Sequence, residues 1–244
     1  MEFLAVLCAV AVLFLLCAAL TLKLHIPASA APLTALACLA AVLTLAGIAN
    51  LLYPAMWVLY LGSAAAGVWA LRPTDADGWR HRAKELFCPA TVLFWAAALG
   101  FAVYFSIRQP LCTGYDELSL WATAVKTTTV SHKLYTTVEL GTPWAATQNA
   151  GLPVLGYFFQ FLGSYADWKI YLAYDVLYFA VYAAMLGALP WKAGARRCLR
   201  RRCCGLCRTF LPPTTTRCTC VRCICPATAI SRRGWCSAAR WRCG

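Results

Sequence analysis

The chain has 244 residues, of which 61% are hydrophobic and 13% charged, a balance that excludes an ordinary soluble domain and marks an integral membrane protein. A chain this long holds about six or seven spanning helices of about 20 residues and has no room for a large soluble domain beside them. The net charge of +13 is not a nucleic-acid signature: residues 1–190 carry nine Lys and Arg against nine acids, and the excess lies wholly in residues 191–244, which hold Lys192, twelve Arg and no acid.

The first apolar run is uncharged from Phe3 to Leu22 and stops at Lys23, matching one membrane span. A cleaved signal peptide is the competing reading, since Ala28-Ser29-Ala30 offers a small-residue site. Glu2 stands where a basic start is needed, however, and the apolar core is longer than such peptides use, so a retained helix is expected. From Leu24 to Leu71 there are 48 residues without Lys, Arg, Asp or Glu. One helix of that length would run about 72 Å, more than twice the hydrocarbon thickness, so two helices must fold back on each other. The turn is expected at Asn50 to Pro54.

Arg72 to Glu85 reads as a polar loop, and Phe87 to Ile107 as a fourth span ending at Arg108-Gln109-Pro110. Arg72, Arg80, Arg82 and Lys84 place that loop in the cytoplasm by the positive-inside rule, and Lys23, two crossings away, falls on the same side. The amino terminus and residues 108–150 are then extracytoplasmic. Within 108–150, Leu118, Trp121, Ala122 and Val125 fall at i, i+3, i+4 and i+7, with Ser119, Thr123 and Thr127 opposite them. Residues 117–128 therefore read as an amphipathic helix lying along the membrane interface. Asp116 and Glu117 precede it, and Thr113-Gly114-Tyr115-Asp116 fits a helix-capping pattern, so a structural cap alone accounts for the acids. The same geometry suits a carboxylate facing a lipid-borne substrate. His132 is a lone loop histidine and reads as solvent-facing.

Leu152 to Gly163 is apolar for only 12 residues, too short to span, and reads as a re-entrant or half-buried helix. Trp168 and Lys169 read as interfacial anchors for a last helix, Ile170 to Leu189. If the short element does not cross, the tail is cytoplasmic; if it does, the tail is outside. Asp175 lies inside that last helix, where an acid must face protein or water, snorkel, or pair with Lys169. It is a second candidate acid. Tyr157, Phe158, Phe159, Tyr171, Tyr174 and Tyr178 read as interface or packing residues.

The tail has no periodic pattern and holds ten of the 15 cysteines. Cys204, Cys207, Cys220 and Cys223 have zinc-ligand spacing, but cysteines this dense produce such spacing by chance, and the segment lacks apolar residues to pack around a metal. A disulfide knot and a basic arm on anionic lipid are further readings. The composition most favours translation of a GC-rich gene in a wrong frame. No metal site and no cofactor are assigned.

Asp116-Glu117, then Trp121 and Lys126 on the amphipathic helix, a Thr/Gly/Pro-rich stretch from Thr136 to Pro143, and Gly151-Leu152-Pro153 leading into Leu155-Gly156-Tyr157-Phe158-Phe159 together resemble the first large extracytoplasmic loop of GT-C type membrane glycosyltransferases. That superfamily includes protein mannosyltransferases and aminoarabinose transferases, and the resemblance covers about residues 88–189. It implies transfer of a sugar from a polyprenyl-phosphate donor to a glycan, lipid or protein acceptor outside the cytoplasmic membrane of a bacterium. Asp116 would be the general base, with Glu117 as the fallback. Lys126 or Lys133 would balance the donor phosphate, and Asp175 is an accessory candidate at the substrate site. Where the family has paired prolines this chain has Asn149-Ala150-Gly151-Leu152-Pro153, and where the family has eight or more spans it has five or six. It therefore reads as the amino-terminal part of such an enzyme.

The expected architecture is all-α, a polytopic transmembrane bundle. Residues 1–107 hold four spans, 108–150 an extracytoplasmic loop with the interfacial helix, and 151–190 a half helix and the last span. Residues 191–244 form a disordered Arg/Cys-rich tail. The partners are membrane lipid, the sugar donor and its acceptor, and not nucleic acid. The alternative function is a non-catalytic or transporter-like polytopic membrane protein.

Overall fold

The structure, a computed structural model, describes residues 2–72, 78–138 and 149–188; the expectations for the 191–244 tail and its cysteines fall outside these residues. The described residues form eight α-helices and no strand: α1 Glu2–Leu24, α2 Ala31–Ile48, α3 Leu52–Leu71, α4 Gly78–Leu86, α5 Pro89–Arg108, α6 Ala122–Ser131, α7 Gly151–Gln160 and α8 Asp167–Gly187. Five of them, α1, α2, α3, α5 and α8, are long and apolar enough to cross a membrane. The protein is an all-α polytopic membrane bundle.

Two faces can be traced from contacts at the helix ends. Glu2, at the start of α1, meets Lys169, at the start of α8. At the other end, Lys23 lies over the Trp69 ring at 3.9 Å, Arg82 donates to the Ala70 carbonyl at 3.0 Å, and Ser29 lies against Gly187. The Glu2 face thus carries the start of α8, and the Lys23 face carries α4 and the end of α8. Only an odd number of crossings between α1 and α8 separates their ends in this way, so α7 does not cross. Contacts at its end agree on its depth: Phe161, just after α7, meets the rings of Tyr53, Trp57 and Tyr60 in the first turns of α3 at tilted or edge-on angles, and Tyr60 O–H donates to the Phe158 carbonyl at 2.8 Å. Tyr60 is eight residues into α3, about 12 Å at the helical rise, so α7 fills only the Glu2 half of the bundle.

The sequence explains why α7 is inside. Gly-Leu-Pro-Val-Leu-Gly-Tyr-Phe-Phe is apolar all round, and Pro153 through Gln160 are buried on every side. Gly156 admits the Val125 side chain of α6; a Cβ there would come within 2.7 Å of it. On the other side of the bundle, a Cβ on Gly67 would lie 2.6 Å from the Leu15 carbonyl oxygen and 2.7 Å from its Cα, so α1 and α3 pack backbone to backbone. Small residues at crossings do this in membranes, where lipid tails remove the hydrophobic drive between helices and close packing takes its place. Val58, Leu61, Val68, Leu93, Val103 and Ile107 point outward, as lipid-facing positions should.

The turns refine the sequence reading. Pro54 does not sit in the α2–α3 turn but within the first turn of α3, where its missing N–H leaves no partner unsatisfied. The turn itself rests on Asn50, whose φ of 58° is left-handed. His25, Gln109 and His132 take the same conformation just after α1, α5 and α6, with no glycine at any of these ends. The polar loop after α3 contains a helix of its own, α4, stapled by His81 and Glu85 at 3.4 Å.

Candidate functional site

Residues 109–138 and 161–169 meet on the Glu2 face, and the links between them begin with Asp167, the first residue of α8. Its Oδ2 accepts the Cys112 backbone N–H at 3.1 Å, while Tyr165 O–H reaches the Ala122 carbonyl at 3.5 Å and Tyr171 O–H the Leu111 carbonyl at 3.4 Å. The start of the 108–150 loop is thereby pinned to α8.

Beside these contacts lies a polar cluster that sequence reading missed. The ammonium of Lys169 is completely buried and bonds to Glu2 Oε2 at 2.5 Å and to the Ser164 carbonyl at 2.7 Å. Glu2 Oε1 in turn accepts the Ser164 hydroxyl at 2.8 Å and its backbone N–H at 3.2 Å. Gln160, also completely buried, clamps the link from both sides, donating to the Ala166 carbonyl at 2.8 Å and accepting its N–H at 3.0 Å. Glycine at 163 leaves room for the pair: a Cβ there would sit 2.5 Å from Glu2 Oε2 and 2.8 Å from Lys169 Nζ and would displace one of them. Lys169 is therefore not an interfacial anchor. A buried ammonium needs a counter-charge and filled hydrogen-bond positions, and Glu2 with Ser164 supplies both. Lys169 is thus engaged elsewhere and does not pair with Asp175.

The 114–131 segment departs from a plain amphipathic helix. Leu118 N–H donates to the Gly114 carbonyl at 2.9 Å, so the helix opens at Tyr115 and its cap position is Gly114, one residue later than the Thr113 pattern implies. Residues Glu117–Trp121 form a π-helical turn before α6. That wider turn shifts the phase of the apolar stripe, so Leu118 is exposed and the buried positions are Ala122, Ala124, Val125, Thr128 and Thr129. Those residues pack on α7 and α8, so the apolar face of α6 is turned to protein.

Asp116 lies in the first turn, exposed, and Glu117 opens the π turn. Lys126 is exposed, its ammonium 5.7 Å from the Tyr165 ring centroid. Lys133 is exposed just beyond α6, its backbone N–H bonded to Ser131 Oγ at 3.2 Å. Asp175 is half-buried near the middle of α8. Among the described residues no hydrogen bond or ion pair joins Asp116, Lys126, Lys133 or Asp175 to one another. His132 is exposed but not free: its Nδ1 pairs with the buried Tyr157 hydroxyl at 2.8 Å, and its ring lies 4.8 Å from that of Tyr53. Burial pushes the phenols of Tyr135 and Tyr157 up, and burial together with the neighbouring Asp167 pushes Tyr165 up, so all three are neutral hydroxyls at neutral pH.

The missed cluster left faint signals: Glu2 is an acid at the head of a span, and Lys169 a base at the head of another. Each is costly in apolar surroundings, and each would be relieved by the other. No group of three or more His, Cys, Asp or Glu able to hold a metal occurs among the described residues. The Cys204 to Cys223 set lies outside the described residues. No family model, curated protein or solved structure matches the chain.

Proposed function

We propose that this chain is a non-catalytic component of a membrane, whose helices and Glu2-face loops act as a scaffold for association. The observation that carries the reading is the way its polar groups are used. Where charged and amide side chains converge, at Glu2, Gln160, Ser164 and Lys169, their hydrogen bonds go to tying α1 to the 160–169 link. Among the described residues of the 108–150 loop, no hydrogen bond or ion pair joins Asp116, Lys126 and Lys133, and a general base needs a partner or substrate geometry built around it. The test is reconstitution of the chain in liposomes with polyprenyl-phosphate-linked sugars and candidate acceptors. No transfer dependent on Asp116 is expected. Transfer that Asp116→Asn abolishes would overturn this reading.

One observation favours a second reading, glycosyl transfer of the GT-C kind. Asp116 is exposed in a helical first turn on the Glu2 face, and Lys126 and Lys133 are exposed on the same loop, so a base and charges for a donor phosphate are all open to an incoming substrate. In this reading Asp116 or Glu117 deprotonates the acceptor hydroxyl, and the Glu2 face is the outer face of a bacterial cytoplasmic membrane. Asp116→Asn keeps the residue's shape but removes the base, and lowers transfer by about a hundredfold or more.

A further inference from the structure

Asp175 is the eighth residue after the start of α8, about 12 Å along a helix about 30 Å long, so its carboxylate lies near the middle of the membrane. It is half-buried, and no hydrogen bond or ion pair holds it among the described residues. Asp175, Tyr178, Tyr182 and Met185 follow one another at spacings of 3, 4 and 3, the repeat that brings side chains to one seam for a second helix packed at a shallow angle. The described helices leave this seam open. Tyr178, Tyr182 and Met185 are 57%, 45% and 58% exposed, and the two tyrosine hydroxyls find only each other, at 2.7 Å. The opposite side of α8 carries the packing: Leu172, Ala173, Val176, Ala180 and Ala183 are buried, and the Phe179 ring meets that of Phe101 of α5 at a tilt, centroids 5.1 Å apart.

A half-buried carboxylate at mid-depth is costly, and acids at that depth pair with a base or line a polar contact. The described spans have no such base to give. The Lys and Arg residues of its described spans lie at the helix ends, Lys23 in the last turn of α1, Arg108 at the end of α5 and Lys169 in the first turn of α8, where Glu2 already takes it. A second copy in the same orientation would bring a second Asp175 to the same depth.

We propose that the Asp175–Tyr178–Tyr182–Met185 seam is the docking surface for a membrane-spanning helix of a different partner, one that presents a Lys or Arg near its midpoint. Asp175 supplies the counter-charge, the two tyrosine hydroxyls supply flanking hydrogen bonds, and Met185 continues the contact toward the Lys23 face. This goes beyond the scaffold reading and does not depend on it: Asp116-dependent sugar transfer would overturn that reading and leave this seam as it stands.

The test uses the full chain, fluorescently labelled, in phosphatidylcholine liposomes with synthetic Leu/Ala helices carrying a single central Lys, Leu or Asp, association being read by energy transfer. The central-Lys helix is expected to associate about tenfold or more tightly than the central-Leu helix. Asp175→Leu removes that preference, and Asp175→Lys transfers it to the central-Asp helix, which also shows that the variant is folded. Asp175→Asn, nearly isosteric, weakens the Lys preference and keeps the proposal testable should the other variants misfold. A Lys-to-Leu ratio unchanged by these substitutions overturns the proposal. So does self-association of the chain through α8 that depends on Asp175 while the Lys helix binds no better than the Leu helix.

Discussion

Two polar regions share the Glu2 face and behave in opposite ways. At the junction of α1 with the 160–169 link, four side chains converge and their polar atoms pair with one another or with the backbone around a completely buried ammonium. Along 114–133, by contrast, Asp116, Lys126 and Lys133 are exposed and unjoined. The first region ties helices together around a buried ammonium; the three charges of the second face solvent. Conspicuous charge in a sequence is therefore a poor guide to where charge does structural work. The pair that joins two helices is one acid and one base 167 residues apart, and Asp116, which attracts the eye, is exposed.

The sharpest way to break this contrast is to remove one member of the buried pair. Glu2→Ala leaves the Lys169 ammonium without its counter-charge, and the expected loss is about 2–4 kcal/mol, below the usual range for fully buried pairs because Glu2 is itself 38% exposed. Replacing both partners, Glu2→Ala with Lys169→Met, is expected to recover much of that loss, since no unpaired charge remains. Equilibrium unfolding in detergent, read for both single variants and the double variant, measures the coupling. If Glu2→Ala proves neutral, the cluster is not the lock described.

Helix packing gives the next effect. Gly67→Ala places a methyl against the Leu15 backbone, which cannot swing aside as a side-chain end can. α1 and α3 must part, at an expected cost of about 1–3 kcal/mol, visible as a lower midpoint in the same unfolding experiment. Gly62 and Gly100 meet nothing within 4 Å, so alanine at either position is the matched control and is expected to be neutral or slightly stabilising. The comparison thus separates glycine required by close approach from glycine merely tolerated on a lipid-facing surface.

Much of the architecture is legible from length and hydropathy, because a span is a local property: about 20 apolar residues bounded by charge or a breaker. Phe3 to Leu22, Phe87 to Ile107 and Ile170 to Leu189 each match a helix whose ends lie within about three residues. Residues 152–163, too short to cross and too apolar to leave the bundle, overlap α7, whose Pro153 to Gln160 are all buried. Tertiary detail is not. Lys169 looks like an anchor because tryptophan precedes it, and nothing near it in the chain announces Glu2. The apolar stripe of 117–128 is misphased because a π turn adds a residue to the repeat, which periodicity cannot anticipate. The candidate site is legible only as residue types, Asp116, Glu117, Lys126, Lys133 and Asp175, because nothing in the spacing fixes which of them meet.

Asp116 gives the smallest effect and the most discriminating one. As an exposed acid in a helical first turn it lies at the positive end of the helix dipole, worth about 0.3–1 kcal/mol at low salt and less as salt screens it. Asp116→Ala is therefore expected to lower stability by no more than about 0.5 kcal/mol in moderate salt, several times less than Glu2→Ala, and the deficit should shrink as salt is raised. A larger, salt-insensitive loss would mean that Asp116 is held by protein groups as Glu2 is, and the division between the two regions would fall. A small loss leaves the carboxylate energetically spare, and any selective effect of the substitution on transfer or association then belongs to function alone.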